Sequence, residues 1–424
     1  MNLKLKMTIK REDIEIMAPV GSYESLMAAI QGGADSVYFG IEQLNMRAKS
    51  TNNFTIEDLK NIVKIAQENK IKTYLTVNTI LYDHDINLMK QIIDTAKESG
   101  ITAVIAADQA VINYASSKGV EVHISTQVNI SNAESVKFYS HFADVVVTAR
   151  ELSLKQVKYI TETIEKDQIK GPKGELIRVE IFAHGALCMA VSGKCYLSLH
   201  EQNSSANRGA CLQTCRKAYT VTEKETGYQL EIDNEYIMSP KDLCTIGFID
   251  NIIDSGVKVL KIEGRARPAE YVKTVTACYN EAVNAYIDGS YSPEKVKIWE
   301  SRLETTFNRG FWDGYYLGRK MGEWSKEYGS KATKTKVYVG KGTNYFKNLQ
   351  VAEFLIQADS LKVGDEILIT GPTTGVIETT VKEIRIDLKT SDTAEKGQTI
   401  SIPIDVKVRP SDKLYKMVKT ANLA

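Results

Sequence analysis

The sequence predicts an α/β protein: a (β/α)8 TIM-like barrel with a cysteine-bearing insertion, followed by a small C-terminal β-barrel domain. Three observations lead there. Short, nearly continuous apolar segments rich in β-branched residues recur along the first 262 residues, the pattern of parallel strands buried on both faces. Amphipathic segments follow most of them, and eight repeats of strand then helix point to a closed barrel. From Lys336 to Tyr415 the pattern changes to brief β-rich stretches broken by turns such as Val363-Gly364-Asp365-Glu366, as in antiparallel structure.

The first strand reads as Ile14 to Ala18, with Pro19-Val20-Gly21 as its loop. Ser22 caps a helix whose apolar face is Leu26, Met27, Ala29 and Ile30, and Gly32-Gly33 ends it. The other strands read as Ser36 to Phe39, Lys72 to Val77, Ala103 to Ala107, Glu121 to Thr126, Val145 to Ala149, Arg178 to His184 and Val257 to Ile262. Thr55 to Lys70 and Asp83 to Ser99 are the clearest helices. An open doubly wound sheet is the alternative, but Ala18-Pro19-Val20-Gly21-Ser22 stands where a Gly-rich dinucleotide fingerprint belongs. The gap between the seventh and eighth strands, at about 185–250, is an elaborated loop, which in a barrel lies on the catalytic face. Pro268 to Gly289 forms a long helix with Pro at its start. We therefore expect a barrel domain at 1–309, a basic linker at 310–335 and a β-barrel domain at 336–424; the linker assignment rests on seven Lys/Arg against two Glu between Arg319 and Lys341.

The 424 residues carry 54 basic and 53 acidic side chains, a formal net charge of +1, so any contact with RNA must be local. A hydrophobic fraction of 43% and a charged fraction of 25% exclude a mainly disordered or fibrous protein. No run approaches ~18 apolar residues, and Met1 to Asp13 lacks a signal-peptide core. The expectation is a cytoplasmic protein with no membrane partner.

In a barrel, residues at the C-terminal ends of the strands converge on one pocket. Here they are Asn78, Asp108, Gln127, Arg150, His184, Glu263 and Arg265, with Asn45 and Arg47 on the second loop. Arg47, Arg150, Lys261 and Arg265 outnumber the carboxylates, which suits a small polyanionic substrate. The blander reading pairs Arg150 with Glu151 and Arg265 with Glu263 as structural ion pairs.

Five of the six cysteines lie between Cys188 and Cys244, at Cys188, Cys195, Cys211, Cys215 and Cys244. No C-x2-C pair occurs, which disfavours a zinc ribbon. Thiolates in fours hold iron-sulfur clusters with more varied spacing. The alternative is a set of buried free thiols packing as small hydrophobes. Cys278 lies at helical spacing from Val275 and Ala282 and reads as core. Cys211 and Cys215 are followed by Ala218, so the three-cysteine radical-SAM loop is not present.

These blocks carry a resemblance. Ala18-Pro19-Val20-Gly21-Ser22, Gly33-Ala34-Asp35-Ser36-Val37-Tyr38-Phe39-Gly40, His184-Gly185-Ala186-Leu187-Cys188, Ser192-Gly193-Lys194-Cys195, Asn207-Arg208-Gly209-Ala210-Cys211, Ser239-Pro240-Lys241-Asp242-Leu243-Cys244 and Lys261-Ile262-Glu263-Gly264-Arg265 resemble the motif set of the collagenase-like peptidase family U32, from about Ile14 to Gly318. The resemblance implies tRNA hydroxylation, forming 5-hydroxyuridine at the wobble position in the anticodon loop. It also implies prephenate or a similar small dicarboxylate as oxygen donor and an iron-sulfur cluster (4Fe-4S) as cofactor. The implied ligands are Cys188, Cys195, Cys211 and Cys244; Cys215 is a fifth cysteine whose role the resemblance leaves open, since one branch of relatives lacks it and another uses a C-x3-C pair. His184 and Glu263 are then the candidate catalytic groups, and Asn45, Arg47, Asn78, Gln127, Arg150, Lys261 and Arg265 the candidate substrate-binding groups. Two other classes stay open: a peptidase, as the family name suggests, and a noncatalytic cluster-bearing subunit that works with a paralogue. For the peptidase, the chain has neither H-E-x-x-H nor a G-x-S-x-G elbow.

Overall fold

Strands that are apolar on both faces leave no exposed edge only when the last pairs with the first. The computed structural model describes residues 9–48, 54–188, 190–191, 194–217, 220–231, 239–318 and 329–420, and it contains that ring. Its strands are β1 (Glu15–Pro19), β2 (Ser36–Phe39), β3 (Lys72–Val77), β4 (Ala103–Ala106), β5 (Glu121–Ile124), β6 (Val145–Val147), β7 (Arg178–Gly185) and β8 (Val259–Ile262). All eight run parallel in sequence order, and β8 pairs with both β1 and β7. The closed barrel replaces the open-sheet alternative. Ser192 and Gly193 of the second cysteine block, most of Met1 to Asp13 and the basic run 319–328 lie outside the described residues.

The helices that cover the barrel begin where the sequence caps them. Ser22 accepts from Ser25 N at the start of α1 (Tyr23–Gln31), and Thr55 and Asp58 form a capping box on α2 (Ile56–Glu68). The next four are α3 (Ile86–Glu98), α4 (Gln109–Ser117), α5 (Ala133–Tyr139) and α6 (Leu154–Asp167). A short α7 (Leu197–Gln202) lies in the insertion, α8 (Ile249–Asp254) precedes β8, and α9 (Ala269–Ile287) and α10 (Pro293–Glu304) follow it.

The N-terminal end of the barrel is shut by charge. Glu15 on β1 is bonded by Lys72 (2.8 Å), Tyr74 (2.6 Å) and Arg178 (3.2 Å), while Glu121 on β5 meets His123 (3.1 Å) and Lys173. Burial raises the Glu15 pKa, but Lys72, Tyr74 and Arg178 outweigh it and hold the carboxyl at about 2. Above this plug Met17, Tyr74, Ile105 and Val145 fill the interior. The other end is therefore the open one.

Two further strands extend the main sheet. Asp242–Cys244 pairs antiparallel with β7, and Phe311–Trp312 pairs with Asp242–Cys244. Tyr316 Oη then donates to the Phe182 carbonyl at 2.8 Å. Residues 311–316, placed in a basic linker by sequence, are thus packed on the barrel. Their aromatic side chains gain more from burial than the neighbouring glycines lose in backbone entropy.

Residues 334–419 form an eight-stranded antiparallel sheet around a core that includes Phe354, Ile367, Ile369, Ile400 and Leu414. It docks on α1 and α9. Gln31 Nε2 donates to the Thr374 carbonyl (3.0 Å), Gln31 Oε1 accepts from Val376 N (2.9 Å), and Lys336 pairs with Glu270 (2.8 Å). Leu368 and Val376 join the barrel's own core. Among the described residues no helix is long and apolar enough to cross a membrane.

Candidate active site at the open mouth of the barrel

A cavity of about 140 Å³ opens at the C-terminal ends of the strands. Its floor is made by Tyr38 on β2 and Lys261 on β8. Lys261 Nζ lies 2.8 Å from the fully buried Glu180 carboxylate and 4.6 Å from the Tyr38 ring centroid. The pairing of β8 with β7 is irregular between Lys261 and Ile262, a bulge at the level where the cavity begins.

Glu263 is held from three sides. Arg47 donates at 2.6 Å, Tyr38 Oη at 3.0 Å and Gly264 N at 2.9 Å. Burial raises its pKa, but the charge and hydrogen bond of Arg47, with Arg265 and Arg150, bring the carboxyl to about 2. Glu263 is a fixed anion at neutral pH. Tyr38 is the reverse: burial and the Glu263 charge push its phenol well above the usual range.

Arg265 is buried and donates to Asn45 Oδ1 (3.1 Å) and Thr76 Oγ1 (2.9 Å). It does not take Glu263 as its hydrogen-bond partner; Arg47 does. Asn45 is itself fully buried and takes Arg47 N at 3.0 Å, so it shapes the second loop and aims Arg265 without lining the cavity. Asn78 accepts from Met46 N (3.3 Å) and donates to Ser125 Oγ (3.3 Å). Gln127 and Ser125 continue the amide and hydroxyl wall. Arg150 stacks on Phe182 at 4.0 Å, and its buried Nε has no hydrogen-bond partner among the described residues. The expected alternative pair with Glu151 does not form. Asp108 caps α4 and bonds Leu81 N, outside the cavity.

The insertion closes over this mouth as a lid of thiols. Cys188, Cys195, Cys211 and Cys215 all line the cavity. Burial pushes the Cys215 thiol up to about 11; Arg216 pulls it down, and Cys188, Cys211 and Cys195 push it further up, as neighbouring thiols must. Three clasps hold the insertion in place. Arg216 donates to Leu187 O (2.6 Å) at its start and to Ser239 Oγ (2.6 Å) and Pro240 O (3.0 Å) at its end. Arg208 bonds Asp85 (2.6 Å) on the β3 side. Gly209, at φ +79°, lies so close to the Asn45 carbonyl that a Cβ would stand 2.2 Å from it.

Two sequence expectations are corrected here. Cys244 is not with the other four thiols. It lies on the short strand paired to β7, opposite His184, lines a separate cavity with Phe248 and Trp312, and burial pushes its thiol up to about 12. Cys215 takes its place at the mouth. His184 is also buried away from the main cavity, between the rings of Tyr271, Tyr279 and Phe311. Burial, reinforced by Arg267, lowers its pKa to about 3, so it is neutral and structural. Phe182 lines the mouth but His184, two residues on, does not, because the pairing with β8 steps from Phe182 to His184 across Lys261 and Ile262 and leaves Ala183 as an extra residue that resets the alternation; Cys244 pairs opposite His184.

A second cavity of about 110 Å³ shares Cys188, Cys211 and Cys215 with the first and adds Arg216, Arg267 and Arg309. Sequence reading missed these arginines, as well as Tyr38 and Phe182. Arg216, next to Cys215, and Tyr38, inside the Gly33 to Gly40 block, carried a signal.

The donor set suits a cluster better than a lone ion. One tetrahedral metal needs its donors about 2.3 Å from a single point, and among the described residues no three His, Cys, Asp or Glu side chains meet that need. Four thiols set around a cavity match the four-thiolate set of an iron-sulfur core.

Comparison with known proteins adds the lineage. The chain is 64% identical over 407 residues to a protein named "Collagenase" from Porphyromonas gingivalis, covering 96% of this chain and 98% of the relative. It is 32% identical over 415 residues to "tRNA hydroxylation protein P1" of Bacillus subtilis, covering 95% and 94%. It is 31% identical over 324 residues to a 23S rRNA 5-hydroxycytidine synthase of Escherichia coli, covering 75% of this chain and 47% of the relative. The family model described as "Peptidase family U32" matches residues 21–326, a span holding nearly all of the barrel and the whole thiol insertion, and the chain belongs to that family.

Proposed function

We propose that this protein hydroxylates tRNA, forming 5-hydroxyuridine at the wobble position. A 4Fe-4S cluster on Cys188, Cys195, Cys211 and Cys215 is its cofactor, and prephenate or a similar small dicarboxylate is its oxygen donor. The observation that carries this reading is the placement of four thiols over a cavity whose walls are cationic and amide-bearing. The names of the Bacillus and Escherichia relatives point the same way.

When bound, such a cluster supplies redox chemistry or an iron site for an oxygen-bearing ligand. The chain's own residues bind and orient. Arg150 and Arg265 offer guanidinium groups with no carboxylate hydrogen-bonded to them in the described structure, suited to the carboxylates of a small diacid. Asn78, Ser125 and Gln127 offer donors and acceptors for the edge of a pyrimidine, and Phe182 an apolar face. A uridine must leave its stack to reach them. Glu263 is locked as an anion, so its role is to hold Arg47 in place and not to shuttle protons.

The name of the Porphyromonas relative favours a second reading, proteolysis. A Cys or Ser protease needs a base within hydrogen-bond reach of its nucleophile, and among the described residues no cysteine or serine at the cavity is bonded to a histidine. Nucleoside analysis of tRNA from a deletion strain separates the two. We expect 5-hydroxyuridine to be lost and to return with the wild-type gene but not with Cys215→Ser. Unchanged tRNA together with lost gelatin cleavage would establish the peptidase instead.

A further inference from the structure

Large apolar side chains left in water are costly unless something covers them. Among the described residues sixteen are exposed, and six of these belong to two segments at one place: Ile80 and Tyr82 after β3, and Val191, Tyr196, Leu199 and Leu212 in the insertion. The two segments are tied together. Ile80 N donates to Asn207 O at 3.1 Å, and Arg208 Nη1 donates to Ile80 O at 3.2 Å. Asn78, Cys195 and Ala206, close neighbours of these residues in sequence, line the main cavity. The apolar group is therefore the rim of the candidate active site.

Its two rings are presented differently from packing residues. The Arg208 guanidinium lies 4.0 Å from the Tyr82 ring centroid and is pinned by Asp85 at 2.6 Å, which covers one ring face and fixes its tilt. Tyr82 is still 54% exposed, and Tyr196, beside the cavity-lining Cys195, is 74% exposed. Basic side chains stand beside both: between residues 190 and 217 the sequence has Lys194, Arg208, Arg216 and Lys217 against Glu201, while Asp83 and Asp85 follow Tyr82 and Asp85 pairs with Arg208. Exposed rings among cations are the composition that takes single-stranded nucleic acid, since every base offers a face and every nucleotide a phosphate.

We propose that Tyr82 and Tyr196 are stacking platforms for the unpaired RNA nucleotides that flank the base inserted in the cavity. This rests on the RNA reading given above and names the surface that does the gripping. It also explains how a chain of net charge +1 selects a loop over a duplex: stacking requires bases already free of partners.

The test is a fluorescence titration of the anaerobically purified protein with a synthetic anticodon stem-loop RNA carrying 2-aminopurine next to the loop uridine. Wild-type protein should bind and change the probe's emission. Tyr82→Ala and Tyr196→Ala should each weaken binding roughly five- to tenfold and reduce the emission change, while Tyr82→Phe and Tyr196→Phe keep both. The visible spectrum and melting temperature of each variant check that the fold is intact. If the wild type binds RNA and the alanine variants bind it equally well, the platform is overturned, the rim falls to a protein partner, and the hydroxylation reading stands. If the phenylalanine variants lose as much as the alanine ones, the hydroxyls and not the rings do the binding, which also overturns it. If the wild type does not bind the RNA at all, the hydroxylation reading itself fails.

Discussion

At the scale of single residues, two strand-end groups that look alike in sequence have opposite chemistry. Glu263 is an anion kept by Arg47, and His184 is a neutral ring kept by burial. The His184 shift has a consequence for stability. Its folded pKa, about 3, lies below the ordinary value of 6.5, so between these values the unfolded chain binds the extra proton. Stability from this site is complete above pH 6.5 and falls as the pH drops toward 3, by roughly 1 kcal/mol per pH unit. Denaturant melts at pH 7 and pH 5 should show that slope in the wild type and a shallower one in His184→Gln. An identical slope in both would place the acid sensitivity elsewhere. The sequence showed that polar groups end the strands; it did not show which of them turn into the mouth. That depends on the pleat and on the irregular step at Lys261, which shift a side chain from one face to the other without altering composition.

At the scale of elements, the barrel strands were legible to within about two residues because burial on both faces writes a continuous apolar run. Helix starts were legible at Ser22 and Thr55 because capping depends on local side chains. The insertion was legible only as a cysteine-bearing gap. Its arrangement depends on long-range clasps such as Arg216 to Leu187 and to Pro240, and spacing alone gives no reason to choose Cys215 over Cys244. Gly209 tests whether those clasps set the thiols. Gly209→Ala would drive a methyl into the Asn45 carbonyl and should cost roughly 1–3 kcal/mol along with bound iron, because Cys211 is displaced. Gly227→Ala has the same backbone constraint, φ +71°, with nothing within 4 Å. It should leave iron unchanged. Thermal unfolding and iron content per chain read both, and equal iron loss in the two would refute a specific contact.

At the scale of the whole molecule, the C-terminal sheet is more than an appendage. Val376 is 2% exposed and belongs to the barrel's core, and Gln31 bonds the chain at Thr374 and at Val376 itself. We expect one cooperative transition in calorimetry for the wild type. Val376→Asp buries an unpaired carboxylate at the seam, at a cost on the order of 3 kcal/mol, and should split that transition in two. A wild type that already melts in two steps would show the domains to be energetically independent. The basic run read as a linker was misplaced at its start for a physical reason: Lys and Gly counts describe solvation, whereas Phe311, Trp312 and Tyr316 decide packing.

All of this converges on the thiols at the mouth. The most direct measurement is iron and acid-labile sulfide, with the visible spectrum, in protein purified without oxygen as wild type, Cys215→Ser and Cys244→Ser. The expected result is about four irons per chain with broad visible absorbance in the wild type and in Cys244→Ser, and loss of both in Cys215→Ser. Iron that survives Cys215→Ser but disappears with Cys244→Ser, or a wild type without iron, would contradict the site described.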